Sequence, residues 1–331
     1  MLVVSYNAVG AFMTILDLLR QTTIDPREAE LLLAYVLKKD RTYVKAHGQD
    51  KVETKVTKAF LSLTQRRQKH EPIAYLTGEQ PFFGRDFIVN RHTLIPRPET
   101  EILVELVKQW TVTSDQCSDS TLGPLGAHGP RESVVVDVGT GSGCLAVTLA
   151  LECPDARVIA SDVSAAALKV ARQNAKLLGA KVEFVRDDLL GKKLISKLEA
   201  RISKLDSRFD VVFVANLPYL PSTDKKTMMP DVAKYEPSQA LFAGRDGSSL
   251  VVKLLQQIGH LNLEFGIWNL GNKPTDTPNS KFKIQNSIFL EVDPRQTKKL
   301  TVLARQLFPN HEISTKQDLC GRERFLIVTL S

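Results

Sequence analysis

Four consecutive residues, Asn216-Leu217-Pro218-Tyr219, end the apolar run VVFVA and could hold a planar NH2 group. The side-chain carbonyl of Asn216 can accept one hydrogen bond from such a group. Because a residue before proline is held extended, the main-chain carbonyl of Leu217 is fixed as a second acceptor. Tyr219 supplies an aromatic wall. These residues predict a site for an amide or an exocyclic amine, although a plain strand-ending turn has the same residue types.

A glycine loop upstream could hold a nucleoside. In VVVDVGTGSGCLA, Gly139, Gly141 and Gly143 lie at a strand-to-helix turn, where glycines permit a close approach of the backbone to a ligand. The next apolar run ends on Asp162, whose carboxylate can accept hydrogen bonds from both hydroxyls of a ribose. A nucleoside-containing ligand is therefore expected across the ends of two neighbouring strands.

The acid before this loop discriminates among nucleoside ligands. A dinucleotide loop has the spacing G-x-G-x-x-G, but here the third glycine comes one residue early. Asp137 would repel a pyrophosphate, whereas it suits the cationic amino-acid end of S-adenosylmethionine. The form D-x-G-x-G-x-G is similar to motif I of class I methyltransferases. A nicotinamide or flavin site and a purely structural turn are the alternatives.

The adenine end of such a ligand would lie near FVRDDLLG. There Asp188 could accept a hydrogen bond from the adenine amino group, with Leu189 against the ring; a solvent-facing acidic turn is the alternative. The predicted cofactor-binding residues are Asp137, Gly139, Thr140, Gly141, Ser142, Gly143, Asp162, Asp188, Leu189 and Asn216. The predicted catalytic residues are Asn216, Leu217, Pro218 and Tyr219. The histidine and cysteine spacings predict no metal site.

Methyl transfer to an amide or exocyclic amine needs no basic side chain. The lone pair of such a nitrogen is delocalised, and no side chain could usefully deprotonate it near neutral pH. Positioning, desolvation and polarisation must therefore carry the rate. We expect an in-line attack on the methyl carbon, with the proton lost after transfer.

From residue 133 onward the chain alternates apolar strands with helices. The predicted strands are Val134–Val138, Arg157–Ser161, Lys181–Val185, Phe209–Ala215, Ser287–Val292 and Arg324–Leu330. The predicted helices are Gly143–Leu151, Ala165–Leu178 and a segment near Ser248–Leu263. Alternation with fully apolar strands predicts an α/β fold with an open, mainly parallel sheet covered on both faces. The glycine loop and Asn216 then meet at the carboxyl edge of that sheet.

The first part of the chain is organised differently. Residues 1–71 have helical periodicity, with Asp25-Pro26 at one helix start and a third helix predicted over Lys51–Arg67. Residues 72–100 predict a β-hairpin linker, and residues 101–331 the catalytic domain. Residues 111–132 and 268–284 are predicted polar insertions.

Composition limits the partners and the compartment. The 331 residues carry a formal charge of +7, which leans weakly toward an acidic partner such as RNA. The four cysteines form no paired motif, as expected for reduced thiols. No apolar stretch approaches the roughly 18–20 residues that span a bilayer, and the N-terminus lacks the features of a cleaved signal. We expect a cytoplasmic monomer that does not contact a membrane.

The stretch PIAYLTGEQPFFGRDFIVNRHTLIPRPETEILV closely resembles the linker signature of the peptide chain release factor glutamine methyltransferases, the PrmC/HemK family. Its most specific part is the run Ile95-Pro96-Arg97-Pro98-Glu99-Thr100-Glu101. Three later segments also look like this family, in the expected order: YEPSQALFAGRDG (235–247), FLEVDPRQ (289–296) and DLCGRERF (318–325). The resemblance extends from about residue 8 to the end of the chain.

The resemblance implies a class I S-adenosylmethionine-dependent methyltransferase with a Rossmann-like, mainly parallel seven-stranded sheet. It also implies a small N-terminal helical bundle that engages the substrate protein. The expected substrate is the side-chain amide nitrogen of the glutamine in the Gly-Gly-Gln loop of class I release factors, gripped by Asn216 and Leu217. Arg97 and Glu99 would brace the pocket or form a structural ion pair. Leu217 departs from the family, where proline is usual.

Two other functions stay open. N-L-P-Y also looks like the motif of ribosomal RNA adenine dimethyltransferases, and with the positive charge it supports an N6-adenine methyltransferase acting on RNA or DNA. The linker opposes that function, and so does the lack of an N-terminal G-Q-N-F-L-like donor loop; a continuous basic groove beside Asn216 would favour it. A non-catalytic binder is opposed by the intact Asp137, Gly139, Asp162 and Tyr219. No stable nucleic-acid partner is expected.

Overall fold

A computed structural model of the chain describes residues 13–116, 132–202, 208–261 and 283–330. The chain packs into two units. Of the described residues, the smaller unit contains those up to 79 together with Met229–Tyr235, and the larger contains those of 80–228 and those from 236 onward. Most of the predicted insertions 111–132 and 268–284 lies outside the described residues.

The smaller unit is a helical bundle around one apolar core. Its elements are β1 (Met13–Thr14), α1 (Ile15–Gln21), α2 (Pro26–Leu37), α3 (Arg41–Ala46), β2 (Lys51–Val52), α4 (Thr54–Gln68), α5 (Ile73–Thr77) and, from later in the chain, α10 (Pro230–Tyr235). The Asp25 carboxylate caps α2 by accepting hydrogen bonds from the amides of Arg27 and Glu28, and Pro26 occupies the first helical position. Leu18, Leu32 and Phe60 are fully buried in the core.

Several features of this unit were not predicted, among them the helices α3 and α5, the second of which replaces the start of the predicted hairpin linker. The third helix begins at Thr54 rather than at Lys51, because Lys51 and Val52 pair with β1 as a short antiparallel strand. The short helix α10 was not foreseen. It is held by Tyr235, whose hydroxyl donates to the Lys69 carbonyl at 2.9 Å. Residues 72–79 pack with these helices, although they were predicted as part of the linker. The functional boundaries of the predicted segments 1–71, 72–100 and 101–331 remain predictions.

Apart from its first residue, Glu79, a two-stranded hairpin of β3 (Glu79–Phe82) and β4 (Arg85–Ile88) opens the larger unit. Its turn is the two residues Phe83 and Gly84, which have φ values of +49° and +71°. Positive φ at both turn positions defines a type I′ turn, whose twist matches that of the strands. The Phe83 amide donates to Glu101 Oε1 at 2.8 Å, which ties the turn to the helix that follows the linker.

A seven-stranded sheet forms the body of this unit. Its strands are β5 (Glu132–Val138), β6 (Ala156–Asp162), β7 (Val182–Arg186), β8 (Arg208–Asn216), β9 (Lys283–Glu291), β10 (His311–Gln317) and β11 (Glu323–Leu330). They are ordered β10-β11-β9-β8-β5-β6-β7, and β11 runs antiparallel to both of its neighbours while the rest are parallel. This is the predicted mainly parallel α/β sheet, and the class I fold is confirmed.

Helices cover both faces of the sheet. They are α6 (Glu101–Gln116), α7 (Cys144–Glu152), α8 (Ala165–Leu178), α9 (Lys192–Ile202), α11 (Ser249–His260) and α12 (Thr297–Leu307). Successive residues of β5 point to opposite faces: Val134 and Val136 belong to one core and Val135 to the other. Burial on both faces explains why the run Val134–Val136 is apolar without alternation. Among the described helices, none is both long and apolar enough to cross a membrane.

Gly143 sets the distance between α7 and α8. Its φ is +82°, and a Cβ at this position would lie 3.0 Å from the Cβ and 3.1 Å from the Cα of Ala171 on α8. Because backbone cannot yield as a flexible side chain does, we expect Gly143→Ala to lower the free energy of unfolding by about 2–4 kcal/mol through backbone strain and overpacking. Gly179→Ala is the matched control, since Gly179 also has positive φ but meets nothing within 4 Å. It should cost about 1 kcal/mol, and equal losses in urea unfolding of the two full-length variants would contradict this account.

Candidate active site

The carboxyl ends of β5, β6 and β8 surround a cavity of about 580 Å³ in the larger unit. The chain runs outward from β5 to β7 and then returns to the other side of β5 as β8, and open α/β sheets bind ligands at such a reversal. The predicted site residues that line the cavity are Asp137, Gly139, Thr140, Gly141, Ser142, Asp162, Asp188, Leu189, Asn216, Leu217 and Pro218. Gly143 and Tyr219 lie outside its lining.

Gly139 is the point where the glycine loop touches the segment after β8. Its φ is +79°, and a Cβ at this position would lie 2.7 Å from Leu217 Cδ2. Any larger residue would therefore push Leu217 away, in addition to straining the left-handed backbone. The amides of Gly139 and Thr140 both donate to the Ser161 carbonyl on β6, at 2.9 and 2.8 Å. The loop is thus held between the ends of the two strands that flank β5.

A buried amide on α8, Asn174, holds the same loop from behind. Its Nδ2 donates to the Ser142 carbonyl at 2.8 Å and to the Ile88 carbonyl at 2.9 Å, and its Oδ1 accepts from the Ile88 amide at 2.8 Å. Asn174 is fully buried, so these bonds are shielded from water. One side chain therefore joins the hairpin to the glycine loop.

Asp137 is a buried carboxyl group that is only half satisfied. Its Oδ2 accepts from Thr140 Oγ1 at 2.6 Å, whereas its Oδ1 makes no hydrogen bond of normal length and angle in the described part of the chain. Burial raises the pKa of Asp137 to about 7, although the Thr140 hydroxyl and the Ala146 amide oppose the shift. A cation bound in the cavity would return this group to its charged form. Asp137 therefore fits the cationic amino-acid end of S-adenosylmethionine.

Asp162 has a fixed orientation at the end of β6. Its Oδ2 accepts from the Gly141 amide at 2.9 Å, and its Oδ1 accepts from the Ser164 amide at 2.8 Å. Burial raises its pKa, and these amides oppose the rise. Because each carboxylate oxygen can accept more than one hydrogen bond, the fixed group can still accept from ligand hydroxyls. The remaining acceptor capacity of Asp162 and its position fit the ribose of the cofactor.

The three residues after β7 have different surroundings. Asp187 caps α9, since its Oδ2 accepts from the amides of Lys193 and Leu194 at 2.9 Å each. Asp188 lies at the mouth of the cavity, with its side chain 61% exposed and paired with Lys253 at 2.7 Å. Leu189 is buried, lines the cavity and has a φ of +50°, which is uncommon for a residue with a side chain. The proposed contact of Asp188 with adenine remains a prediction.

A chain of hydrogen bonds runs from Asn216 into the protein. Asn216 Nδ2 donates to Thr100 Oγ1 at 2.9 Å, and Thr100 Oγ1 donates to Glu291 Oε2 at 2.7 Å. The other oxygen of Glu291 accepts from the Tyr219 hydroxyl at 3.3 Å, and that hydroxyl accepts from Arg324 Nη1 at 3.4 Å. Glu291 is 1% exposed and is the residue of β9 that lies opposite Asn216 of β8 in the sheet register. The amide nitrogen of Asn216 is thus engaged by the protein, which leaves its oxygen for a ligand.

The rest of the tetrapeptide presents main-chain groups. The carbonyl of Leu217 has no hydrogen-bond partner within the described part of the chain, whereas that of Tyr219 accepts from Gln296 Nε2 at 2.8 Å. Leu220 pairs with the segment 241–243 through two main-chain hydrogen bonds, of 2.9 and 3.1 Å. The backbone is therefore fixed immediately after Pro218. The Tyr219 ring was expected to form a wall of the site, but its hydroxyl binds Glu291 and the residue does not line the cavity.

Arg97 forms an ion pair with Glu236, not with Glu99. Arg97 Nη2 lies 2.5 Å from Glu236 Oε1, and the second oxygen of Glu236 accepts from the Ile95 amide at 3.2 Å. The Glu236 side chain is 1% exposed, so the pair fixes the linker against the segment 235–247 that also lines the cavity. Arg97 itself lines the cavity.

The charges that line the cavity do not form a basic groove. They are the cations Arg91 and Arg97 and the acids Asp137, Asp162, Asp187 and Asp188, together with His92. One of the two arginines is already paired with a buried glutamate. A nucleic-acid backbone would meet more negative than positive charge in this lining. The residues described here also contain no group of His, Cys, Asp and Glu that could hold a metal ion.

Sequence reasoning gave no role to Thr100, Glu291 or Asn174. Thr100 and Glu291 lie inside two of the segments that resemble the family, and Glu291 is a polar residue ending an apolar strand, as Asn216 is. That signal could have marked Glu291, because polar ends of neighbouring parallel strands lie side by side. Asn174 lies within an ordinary amphipathic helix, which offered no signal.

Known proteins match this chain over most of its length. The PrmC N-terminal domain family matches residues 12–78, and a methyltransferase domain family matches residues 135–235. The release factor glutamine methyltransferase of Neisseria gonorrhoeae is 38% identical over 229 residues, which are 69% of this chain and 73% of that protein. Its counterpart in Bacillus cereus is 29% identical over 313 residues, 94% of this chain and 95% of that protein.

A third relative is longer. The bifunctional methyltransferase of Rickettsia bellii is 34% identical over 258 residues, which are 72% of this chain but 44% of that protein. The chain therefore spans less than half the length of this relative. The match to the Neisseria gonorrhoeae enzyme covers most of both chains at more than a third identity. The chain accordingly belongs to the release factor glutamine methyltransferase family and is an S-adenosylmethionine-dependent methyltransferase.

Proposed function

We propose that this chain transfers a methyl group from S-adenosylmethionine to the side-chain amide nitrogen of the glutamine in the Gly-Gly-Gln loop of class I peptide chain release factors. The single observation that carries the proposal is the pair of acceptors beside the glycine loop. Asn216 turns its amide nitrogen toward Thr100, and the Leu217 carbonyl has no partner in the described part of the chain. Because release factors act on the ribosome, we place the reaction in the cytoplasm.

The donor end of the site is formed by the glycine loop and two aspartates. S-adenosylmethionine supplies an electrophilic methyl group on a positively charged sulfur. Asp137 would hold its cationic amino-acid end, and Asp162 would accept hydrogen bonds from its ribose. Leu189 offers an apolar surface for the adenine ring. The support for these roles is that all three residues line one cavity and that Asp137 Oδ1 is buried without a normal hydrogen bond in the described residues.

The acceptor end would orient the substrate amide. An amide NH2 group has two hydrogens in one plane, and the oxygens of Asn216 and Leu217 can accept one each. Two such bonds hold the nitrogen in a single orientation and draw electron density toward it. Buried Leu217 and half-buried Pro218 limit access of water to this nitrogen. The proton leaves after transfer, when the methylated nitrogen has become strongly acidic.

An adenine amino group could in principle meet the same two acceptors. The charge lining of the cavity argues against a nucleic-acid substrate, because four aspartates accompany two arginines, one of them ion-paired. The linker and the N-terminal unit belong to a family that acts on a protein. We therefore favour the glutamine amide.

We assign the smaller unit to engagement of the release factor. The assignment rests on its match to the PrmC N-terminal domain family. Helix α2 exposes two large apolar side chains one turn apart, Leu31 and Tyr35, which are 41% and 46% exposed. Such a pair is suited to contact with a protein surface.

The proposal is tested by mass spectrometry of a purified class I release factor after incubation with this chain and S-adenosylmethionine. We expect one added methyl group on the Gly-Gly-Gln glutamine. Asn216→Ala removes one acceptor and should lower kcat about 100-fold or more, as loss of a preorganised polar contact does in other enzymes. A release factor with alanine in place of that glutamine should gain no methyl group, and a ribosomal RNA fragment in a parallel reaction should remain unmodified. Methylated adenine with an unmodified release factor would refute the proposal.

Leu217→Pro tests whether the second acceptor is the main chain. The carbonyl is retained in proline, so we expect kcat to fall less than about tenfold, against the much larger loss in Asn216→Ala. The measurement is single-turnover methylation of the same release factor with saturating donor. A loss as large as that of Asn216→Ala would show that the Leu217 side chain, through its contact with Gly139, contributes more than its carbonyl does.

Donor binding should depend on pH through Asp137. Its pKa in the free protein is about 7, so the carboxyl is mostly protonated below that pH. A cationic ligand binds the ionised form; affinity should therefore be full above about pH 7 and fall by up to about tenfold per pH unit below it. Isothermal titration of S-adenosylmethionine between about pH 6 and about pH 8 measures this. Asp137→Asn should bind weakly at every pH, and a wild-type Kd that stays constant over this range would contradict the assignment.

A further inference from the structure

We propose that Thr100 and Glu291 are positioning residues that select one of the two orientations of the Asn216 side-chain amide, so that its oxygen and not its NH2 group faces the substrate. The inference rests on the proposed function, because it concerns how that function's acceptor is set. Neither residue contacts the reacting atoms in this account; both act through Asn216.

Packing alone does not fix the orientation of an asparagine side-chain amide. Rotation by half a turn exchanges an oxygen and a nitrogen of similar size, so only hydrogen bonds distinguish the two states. In the reversed state the NH2 group of Asn216 would face the NH2 group of the substrate. Two donors would then oppose each other and the substrate would lose an acceptor. The site therefore needs a neighbour that can bond to only one end of the amide.

Glu291 determines which group donates and which accepts along the hydrogen-bond chain. An ionised carboxylate can only accept, and the Thr100 hydroxyl has a single proton. That proton is committed to Glu291 Oε2, at 2.7 Å. Thr100 Oγ1 must then accept from its other neighbour, and the Asn216 nitrogen lies there at 2.9 Å. The charge on Glu291 thus determines which atom of Asn216 faces the cavity.

Burial and the surroundings of Glu291 act in opposite directions on its charge. Burial raises its pKa, and the neighbouring acid Glu99 adds to the rise. The groups that lower it come from three different elements: Thr100 before α6, Tyr219 after β8, and the guanidinium of Arg324 on β11. Arg324 is itself held by Asp318, at 3.0 Å from its Nε. A buried carboxylate with hydrogen bonds to both oxygens and a cation nearby can remain ionised.

Protonation of Glu291 would reverse the chain. A carboxylic acid can donate to Thr100 Oγ1, whose own proton would then be free to turn toward Asn216. A hydroxyl that donates is best met by the Asn216 oxygen, so the amide would rotate and present its nitrogen to the cavity. Activity should therefore require the ionised form of Glu291.

The first test compares Thr100→Val with Thr100→Ser. Valine has nearly the same shape but no hydroxyl, so both amide orientations become available. We expect kcat to fall about 10- to 100-fold with the Kd of S-adenosylmethionine unchanged, and serine to recover most of the loss. Thr301→Val is the matched control, because the Thr301 hydroxyl bonds only to a helix carbonyl of α12 and the residue does not line the cavity. It should have the kcat of the wild type.

The second test reverses the donor-to-acceptor direction of the hydrogen bonds between residues 216, 100 and 291. Glu291→Gln alone should lower kcat about as much as Thr100→Val does, since the NH2 group of the introduced glutamine can donate to Thr100 and reverse the hydrogen bonds. Asn216→Asp alone places a second carboxylate beside Glu291 and should also be poorly active. In the double variant, glutamine at 291 donates to Thr100, Thr100 donates to aspartate at 216, and oxygens face the substrate in either orientation. We therefore expect the double variant to be about tenfold or more faster than either single variant.

The third measurement is the pH dependence of kcat at saturating donor, where binding through Asp137 no longer limits the rate. Wild-type kcat should fall as the pH drops through the raised pKa of Glu291, and this acid limb should be absent in Glu291→Gln. Thr100→Val and Glu291→Gln with wild-type kcat would overturn the inference, and so would a double variant no better than the single ones. Failure of the proposed function is a separate outcome, in which the wild type leaves the release factor unmethylated.

Discussion

The close packing of Leu217 on Gly139 is the contact on which the site depends. β5 and β8 are neighbours in the sheet only because the chain reverses its direction of strand addition after β7. The loop that follows β5 and the tetrapeptide that follows β8 would nevertheless be forced apart if a side chain stood at the point where they touch. A Cβ on Gly139 would lie 2.7 Å from Leu217, so the glycine allows the donor loop and the tetrapeptide to border one cavity. Methyl transfer between two bound groups requires this proximity.

Two buried carboxyl groups face this cavity or support it; burial raises the pKa of both, but their hydrogen-bond partners differ. Asp137 has one hydroxyl donor and one oxygen without a normal hydrogen bond in the described residues, and its pKa rises to about 7. Glu291 has donors on both oxygens and Arg324 nearby. The first group is therefore suited to gain a cationic ligand, whereas at the second the protein itself supplies the donors and the cation that oppose the rise in pKa caused by burial. Different environments give similar groups different tasks.

The departure of Leu217 from the usual proline has a simple structural consequence. The group expected to contact the substrate is its main-chain carbonyl, which every residue possesses, and Pro218 still restrains the backbone. The side chain is buried to 4% exposure and packs against the glycine loop. A hydrogen bond from Gln296 to the Tyr219 carbonyl then holds the end of the tetrapeptide in place. The tetrapeptide is thus fixed by tertiary contacts in addition to its own sequence.

The sequence by itself determined six of the seven strands of the main sheet, several of the helices and the two local motifs. Alternating apolar strands and helices, the glycine loop and N-L-P-Y are patterns within a few residues, and local sterics and burial act over that range; α8 was predicted with the bounds it has in the structure. The strand β10 escaped prediction because it is an edge strand with mixed exposure and a polar composition. α10 escaped because it is short and buries none of its residues completely.

Only the tertiary structure decided how the motifs are supported. Asn216 and Thr100 are 116 residues apart, and Thr100 and Glu291 are 191 apart. No local pattern indicates that these three residues form one chain of hydrogen bonds. Their contacts depend on the order of the strands in the sheet and on the linker that lies across the strand ends. The same holds for Tyr219, whose ring the sequence analysis placed against the substrate and whose hydroxyl the fold directs to a buried carboxylate. Chemistry-bearing residue types are visible in a sequence, whereas their hydrogen-bond partners are properties of the assembled sheet.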